Sequence, residues 1–142
     1  MKGRVIAVNK AEERGISKRN VGQGDLQEGW GLVGDAHAGD WDRQISILPL
    51  EAMALIPPSI RSTISDEDYT ENITIEGIPL DKLGIGMKLK IGEAEVSICH
   101  IGKEKPKEEG RPYIVSREGR FGKVTKSGRV NVGDLVITLG SE

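Results

Sequence analysis

The chain has one cysteine, Cys99, and only two histidines, His37 and His100. A single thiol permits no internal disulfide, so a reducing, cytoplasmic setting is the default expectation. With so few soft ligands, a closed zinc site of three or four protein groups is not expected. Aromatic residues are also scarce, with a single phenylalanine among them. The core must therefore be built from Ile, Val and Leu. No apolar run approaches the roughly 20 residues that span a bilayer. The N-terminal "MKGRVIAVNK" has no signal-peptide h-region. Charge of one sign is lacking as well. The formal net charge is -2, so nothing global favours nucleic acid or an anionic membrane. An anionic ligand would need a local basic pocket.

What is present fits one soluble globular domain over residues 1–142, with 37% hydrophobic and 30% charged residues. Nineteen glycines announce many turns. "GRVIAVNK" alternates apolar and polar residues and predicts a strand. The Gly-rich, charged stretch from Glu12 to Asp42 predicts one or two short strands within long loops. A connection of that length is more often functional than idle. "RQISILPL" predicts a buried strand. "PLEAMALIPPS" predicts a short helix with Leu50, Met53, Ala54 and Leu55 as its apolar stripe, stopped at Pro57-Pro58. "TENITIEGIPL" predicts a strand ending in a glycine turn. "MKLKIGEAEVSICHI" is the clearest hairpin, two alternating runs about a Gly92-Glu93 turn. The last thirty or so residues predict three more strands, with turns at Glu118-Gly119, Ser127-Gly128 and Gly133-Asp134. The expected fold class is mainly β, a β-barrel or β-rich domain with one or two short helices.

Cys99 and His100 invite reading as a nucleophile with its base. On a regular strand their side chains point to opposite faces. Val96, Ile98 and His100 would then share one face, and Glu95, Ser97, Cys99 and Ile101 the other. That geometry forbids a direct dyad and favours Cys99 as a packing residue, with His37 as a distant alternative partner. In "GDAHAG", Asp35 and His37 stand two residues apart between glycines. Asp-x-His alone is a weak metal signal. The competing reading is a turn in which Asp35 accepts backbone N–H groups. "KEKPKEEGR" reads either as a solvated charge run or as part of an anion site.

Taken in order, "GDAHAG", "RQISIL", "TENITIEGI", "LGIGMKLKIGEAEV", "IGKE" and "SREGRFGKV...GRVNVGD" span nearly the whole chain, and their sequence resembles the MOSC family. This domain occurs at the C-terminus of molybdenum-cofactor sulfurases and as small stand-alone bacterial proteins. The resemblance implies a barrel-like β fold and an association with the molybdenum cofactor (molybdopterin), a phosphorylated pterin dithiolene carrying the metal. Some members reduce N-hydroxylated compounds and others are thought to carry sulfur.

In most members the chemistry runs through a cysteine that follows an "IGK-x" stretch and precedes a histidine. Here Lys105 and Pro106 occupy those two positions. A thiolate can ligate molybdenum or hold a persulfide; an ammonium can do neither, but pairs with phosphate as a point charge. The resemblance carries Asp35, His37, Arg43, Glu71, Asn72, Lys103, Lys105 and Arg117 over as candidate cofactor-binding residues. Arg43 is the best anion anchor among them, and Arg111 and Lys123 could enlarge its pocket. The structural alternatives are a buried Asp35–Arg43 ion pair and a loop-tying role for Glu71 and Asn72. Three functions remain open: binding an anionic pterin-type cofactor or its metal in a basic cleft; a redox or sulfur-carrier enzyme using Cys99 as a displaced thiol; and a non-catalytic relative that binds a protein of the cofactor pathway or another small anion.

Overall fold

The computed structural model describes residues 1–13, 19–55, 58–61, 71–102 and 118–141. Its frame is a closed barrel of seven strands. In chain order these are β1 (Lys2–Lys10), β5 (Ile45–Pro49), β6 (Ile73–Glu76), β7 (Met87–Ile91), β8 (Ala94–Ile101), β9 (Arg120–Lys126) and β11 (Leu135–Ser141). Around the wall they run β11-β7-β8-β9-β5-β6-β1, and β1 returns to β11 through Lys2↔Ile137 and Arg4↔Leu135. Only β5 and β6 are parallel. Closure removes the exposed edges an open sheet would present. Two-residue β2 (Arg19–Asn20) pairs antiparallel with the end of β1, and β3 (Gln23–Gln27), β4 (Gly31–Leu32) and β10 (Gly128–Asn131) form a small second sheet.

The alternation read in the sequence is the burial pattern of the wall. Val96 and Ile98 of β8 point inward with Leu89 and Ile91 of β7, while Lys90 is exposed. All five residues of β5 are buried. The interior is aliphatic: Val5, Val8, Ile45, Ile47, Ile73, Ile75, Leu89, Val124 and Val136 belong to one cluster. The β7–β8 turn sits where predicted, with Gly92 at φ +57, the left-handed geometry a two-residue Gly-X hairpin needs at its first position.

Three expectations are corrected. Among its described residues the Glu12–Asp42 stretch carries three short strands, β2, β3 and β4, because β3 and β4 pair into the second sheet with β10. The helix after β5 is a 3₁₀ turn over Leu50–Leu55, followed by a four-residue α1 (Pro58–Arg61). Three residues per turn change the buried face: Ala52 is buried, whereas Leu55 of the expected stripe is 55% exposed. The 3₁₀ turn ends at Leu55 and Pro57 lies outside the described residues; Pro58 opens the separate α1, where its missing N–H costs nothing.

The third correction concerns the Cys-His pair. In the β8–β9 ladder Ile98 opposes Gly122 and His100 opposes Phe121, so Cys99 is an extra, unopposed residue. A bulge of this kind breaks the two-residue alternation. His100 therefore leaves the inward face it would have shared with Val96 and Ile98, and its side chain is 28% exposed. Cys99 is half-buried rather than a core residue, and its thiol donates weakly to the Ser97 carbonyl at 3.7 Å.

Candidate functional site

The loop between β4 and β5, residues 33–44, holds Asp35, His37 and Arg43, and three anchors fix it. At the first, Asp35 is buried, and its carboxylate accepts the N–H of Ala11 at 3.0 Å and of His37 at 3.1 Å. This is the turn geometry expected of an Asp two residues before its donor. The His37 ring lies 3.8 Å from the same carboxylate with 44% of its side chain exposed. Lys10, at the end of β1, places its ammonium 3.2 Å from where a Gly34 side chain would begin.

At the second anchor Gly39 donates to the Trp30 carbonyl at 2.8 Å, and Gly31 backs onto Ala38 and the Gln44 carbonyl. The Trp41 indole N–H donates to the His37 carbonyl at 2.9 Å. The third anchor is the bulged end of the β8–β9 ladder. Arg43 donates to the Gly102 carbonyl at 3.1 Å and lays its guanidinium 4.6 Å over the Phe121 ring, a distance at which cation and ring attract. The guanidinium thus reaches β8 and β9 instead of closing an ion pair with Asp35. Beside it, Asp42 and the His100 ring nitrogen Nε2 are 2.6 Å apart.

Glu71 and Asn72 belong to the frame beneath this loop. Asn72 Oδ1 accepts both the N–H and the hydroxyl of Ser46, its Nδ2 donates to the Asn9 carbonyl, and its own N–H donates to Ser46 Oγ. One amide thereby joins β1, β5 and the approach to β6. Asn9 donates to the Glu71 carbonyl at 3.0 Å, and a Glu71 carboxylate oxygen lies 2.9 Å from where a Gly119 side chain would begin. Glu71 and Asn72 are each 1% exposed. Lys103, Lys105 and Arg117 lie outside the described residues. Gly102, the last described residue before them, donates its N–H to the Gly119 carbonyl at 2.7 Å and accepts from Arg43 at its own carbonyl. No local pattern marks Lys10, Asp42 or Phe121. Their roles depend on neighbours distant in sequence.

Electrostatics at the third anchor are directional. The hydrogen bond from His100 holds the Asp42 carboxyl below its ordinary value of 3.8, with the charges of His100 and Arg43 adding to the effect and desolvation opposing it. A depressed carboxyl favours the folded state above its unfolded pKa and loses that contribution as pH falls through the folded value. Replacing His100 with alanine is expected to move the Asp42 carboxyl back up toward 3.8. A carbon-detected NMR titration of the side-chain carboxyl reads this directly. An unchanged midpoint would mean that His100 does not set it.

A cleft of about 460 Å³ lies elsewhere, against Lys2, Arg4, Glu51 and Glu76, and contains none of the candidate residues. Among the described residues no helix is long and apolar enough to cross a membrane.

Three solved structures place this architecture. The YuaD protein from Bacillus subtilis superposes with a TM-score of 0.75 at 18% identity, covering 96% of this chain and 94% of that one. YiiM from Geobacillus stearothermophilus gives 0.67 at 15% identity over 96% of this chain and 75% of that one. YiiM from Escherichia coli gives 0.64 at 18% identity over 100% and 71%. This chain has their fold. At these identities the likeness extends to the fold alone. No protein-family model and no curated protein matches the chain.

Proposed function

We propose that this protein binds a molybdenum-cofactor-type ligand, an anionic phosphorylated pterin, in the cytoplasm, through a cationic surface centred on Arg43. The reading is supported by the chain-long resemblance to the MOSC family and by the barrel shared with YuaD and YiiM. The observation that carries it is the setting of Arg43. Its guanidinium spends one N–H on Gly102 and is braced by Phe121, which leaves further donors of the planar fork for oxyanion contacts. Lys10 supplies a second cation at another anchor of the same loop. The family resemblance adds Lys103, Lys105 and Arg117 as candidate cations for the same ligand.

The chemistry of this donor set fits the phosphate end of such a ligand. It does not fit the metal, because no thiolate is among these residues and Lys105 stands where relatives keep theirs. When bound, the cofactor would supply redox chemistry at its molybdenum. The residues of this chain bind and orient it. Asp35 holds the loop in shape through backbone N–H groups, and Asn72 holds the strands under it.

The test is expression in a host that makes the cofactor, with molybdenum and pterin measured per chain after purification. Both are expected to co-purify in similar amounts. Arg43→Ala should lower the pterin content about tenfold or more, the scale of a charge-assisted hydrogen bond, and Arg43→Lys should lower it less, since it keeps the charge but not the fork. Absence of both molybdenum and pterin, together with no uptake when the cofactor is supplied, would sink the proposal.

A further inference from the structure

The cleft of about 460 Å³ against Lys2, Arg4, Glu51 and Glu76 is in the size range of small-molecule sites. Strand register builds it. Arg4 of β1 stands between Leu135 of β11 and Glu76 of β6. Lys2 and Arg4 are exposed while Gly3 and Val5 are buried, so the two cations share the outer face of β1. The floor is backbone. A side chain on Gly3 would overlap the Glu76 carbonyl, and one on Gly77 (φ +104) would begin 2.9 Å from the Gly3 Cα. Opposite charges facing each other across two strands ordinarily attract. Yet among the described residues Lys2, Arg4, Glu51 and Glu76 form no ion pair with one another. Arg4 instead donates to the Gly133 carbonyl at 3.1 Å, in the turn before β11. Glu51 accepts the Gly77 N–H through Oε2 at 2.7 Å, at the end of β6. Its other oxygen, Oε1, is buried with no hydrogen-bond donor, an arrangement that costs stability and is uncommon. Backbone bonds thus hold positive charge toward β11 and negative charge toward β6.

From this separation we infer that the cleft binds a small zwitterion, an α-amino acid with an apolar side chain. The ligand carboxylate meets Arg4 and Lys2, and its ammonium meets Glu51 and Glu76. Leu135, on the cleft wall and 41% exposed, takes the apolar side chain. A lone anion here would face two carboxylates, and a lone cation would face two cations. Only a ligand with both charges is attracted on both sides. The Arg4 guanidinium keeps donors beyond the one given to Gly133. A small turn of the Glu51 carboxylate about its Gly77 bond offers Oε1 to the ammonium. No residue of the proposed Arg43 site lines this cleft, so the inference is independent of that reading.

The experiment titrates the full chain with L-leucine, 4-methylpentanoate and 3-methylbutylamine, read by calorimetry and by the backbone amide NMR spectrum. The second probe is leucine without its ammonium, and the third is leucine without its carboxylate. L-leucine should bind about tenfold or more tighter than either, the scale of a charge-assisted hydrogen bond. The Gly77 amide resonance should move as L-leucine is added. Glu51→Gln keeps an acceptor for the Gly77 N–H but removes the charge. It should weaken L-leucine about tenfold and leave 4-methylpentanoate unchanged or tighter. Should that variant fail to fold, the comparison of probes on the unaltered protein still decides the question. 4-Methylpentanoate or 3-methylbutylamine binding as tightly as L-leucine would make the cleft a site for a single charge and overturn the inference. Absence of L-leucine binding, with the Gly77 resonance unmoved, would overturn it too.

Discussion

Gly122→Ala is expected to prevent folding or to destabilise the barrel by roughly 3 kcal/mol or more, the upper range for a single substitution that overpacks an interior. Gly122 stands opposite Ile98 at the bulge. A methyl group there would overlap the Ser97 carbonyl, and the Ile98 Cα would be only 3.2 Å away. Both obstacles are backbone, so neither can rotate aside. Relief requires β8 and β9 to separate, and that ladder carries His100 and the Gly102 carbonyl that Arg43 uses. Urea denaturation monitored by circular dichroism is the measurement. Gly84→Ala is the control: nothing lies within 4 Å of its added methyl group, and its effect should stay within about 0.5 kcal/mol. A Gly122→Ala protein as stable as that control would show that the strands part at little cost.

Asn72→Ala is expected to cost about 2–3 kcal/mol without touching any ligand. The lost amide would leave the Ser46 N–H and the Asn9 carbonyl buried without this partner. A buried polar group stranded in this way costs more than the net worth of the bond it made. Asn72→Asp isolates the reason. It retains the oxygen facing the Ser46 N–H but replaces the Nδ2 donor with an acceptor facing the Asn9 carbonyl, so it should rescue little. Thermal unfolding of the two variants beside the parent provides the comparison. Full stability in Asn72→Ala would remove the claim that this buried amide ties Asn9 of β1 to Ser46 of β5.

Much of the wall is legible because it obeys local rules. Val96, Ile98, Leu89 and Ile91 alternate with polar neighbours, and Gly92 marks the turn between their strands. The seven-strand closure is not written locally, since it depends on β1 meeting β11 across almost the full chain. Nor is the bulge at Cys99. Alternation along β8 assumes an unbroken ladder, and the extra residue is imposed by how β9 pairs with it. The same limit applies to the site. Asp35 reads correctly as a turn-forming acid because its acceptors are spent on Ala11 and His37. Arg43 reads as an anion anchor from its chemistry, but its brace on Phe121 and the Asp42–His100 contact join residues roughly 60 to 80 positions apart, and no spacing within either segment encodes them. Glu71 and Asn72 are ligand candidates through the family resemblance, with a loop-tying role read beside it. Their burial beneath the loop is decided by tertiary packing.

The pairing of Lys2 with Ile137 also orders events in time. During synthesis β1 emerges early, and its β11 partner emerges last. Until then one side of β1 presents unpaired backbone N–H and C=O groups, the template on which strands of other chains can add. Contacts between such distant residues also slow folding, because a long loop must close before they repay it. The nascent chain is therefore most exposed to aggregation in the interval before β11 docks, and a product cut short ahead of Leu135 never leaves that interval.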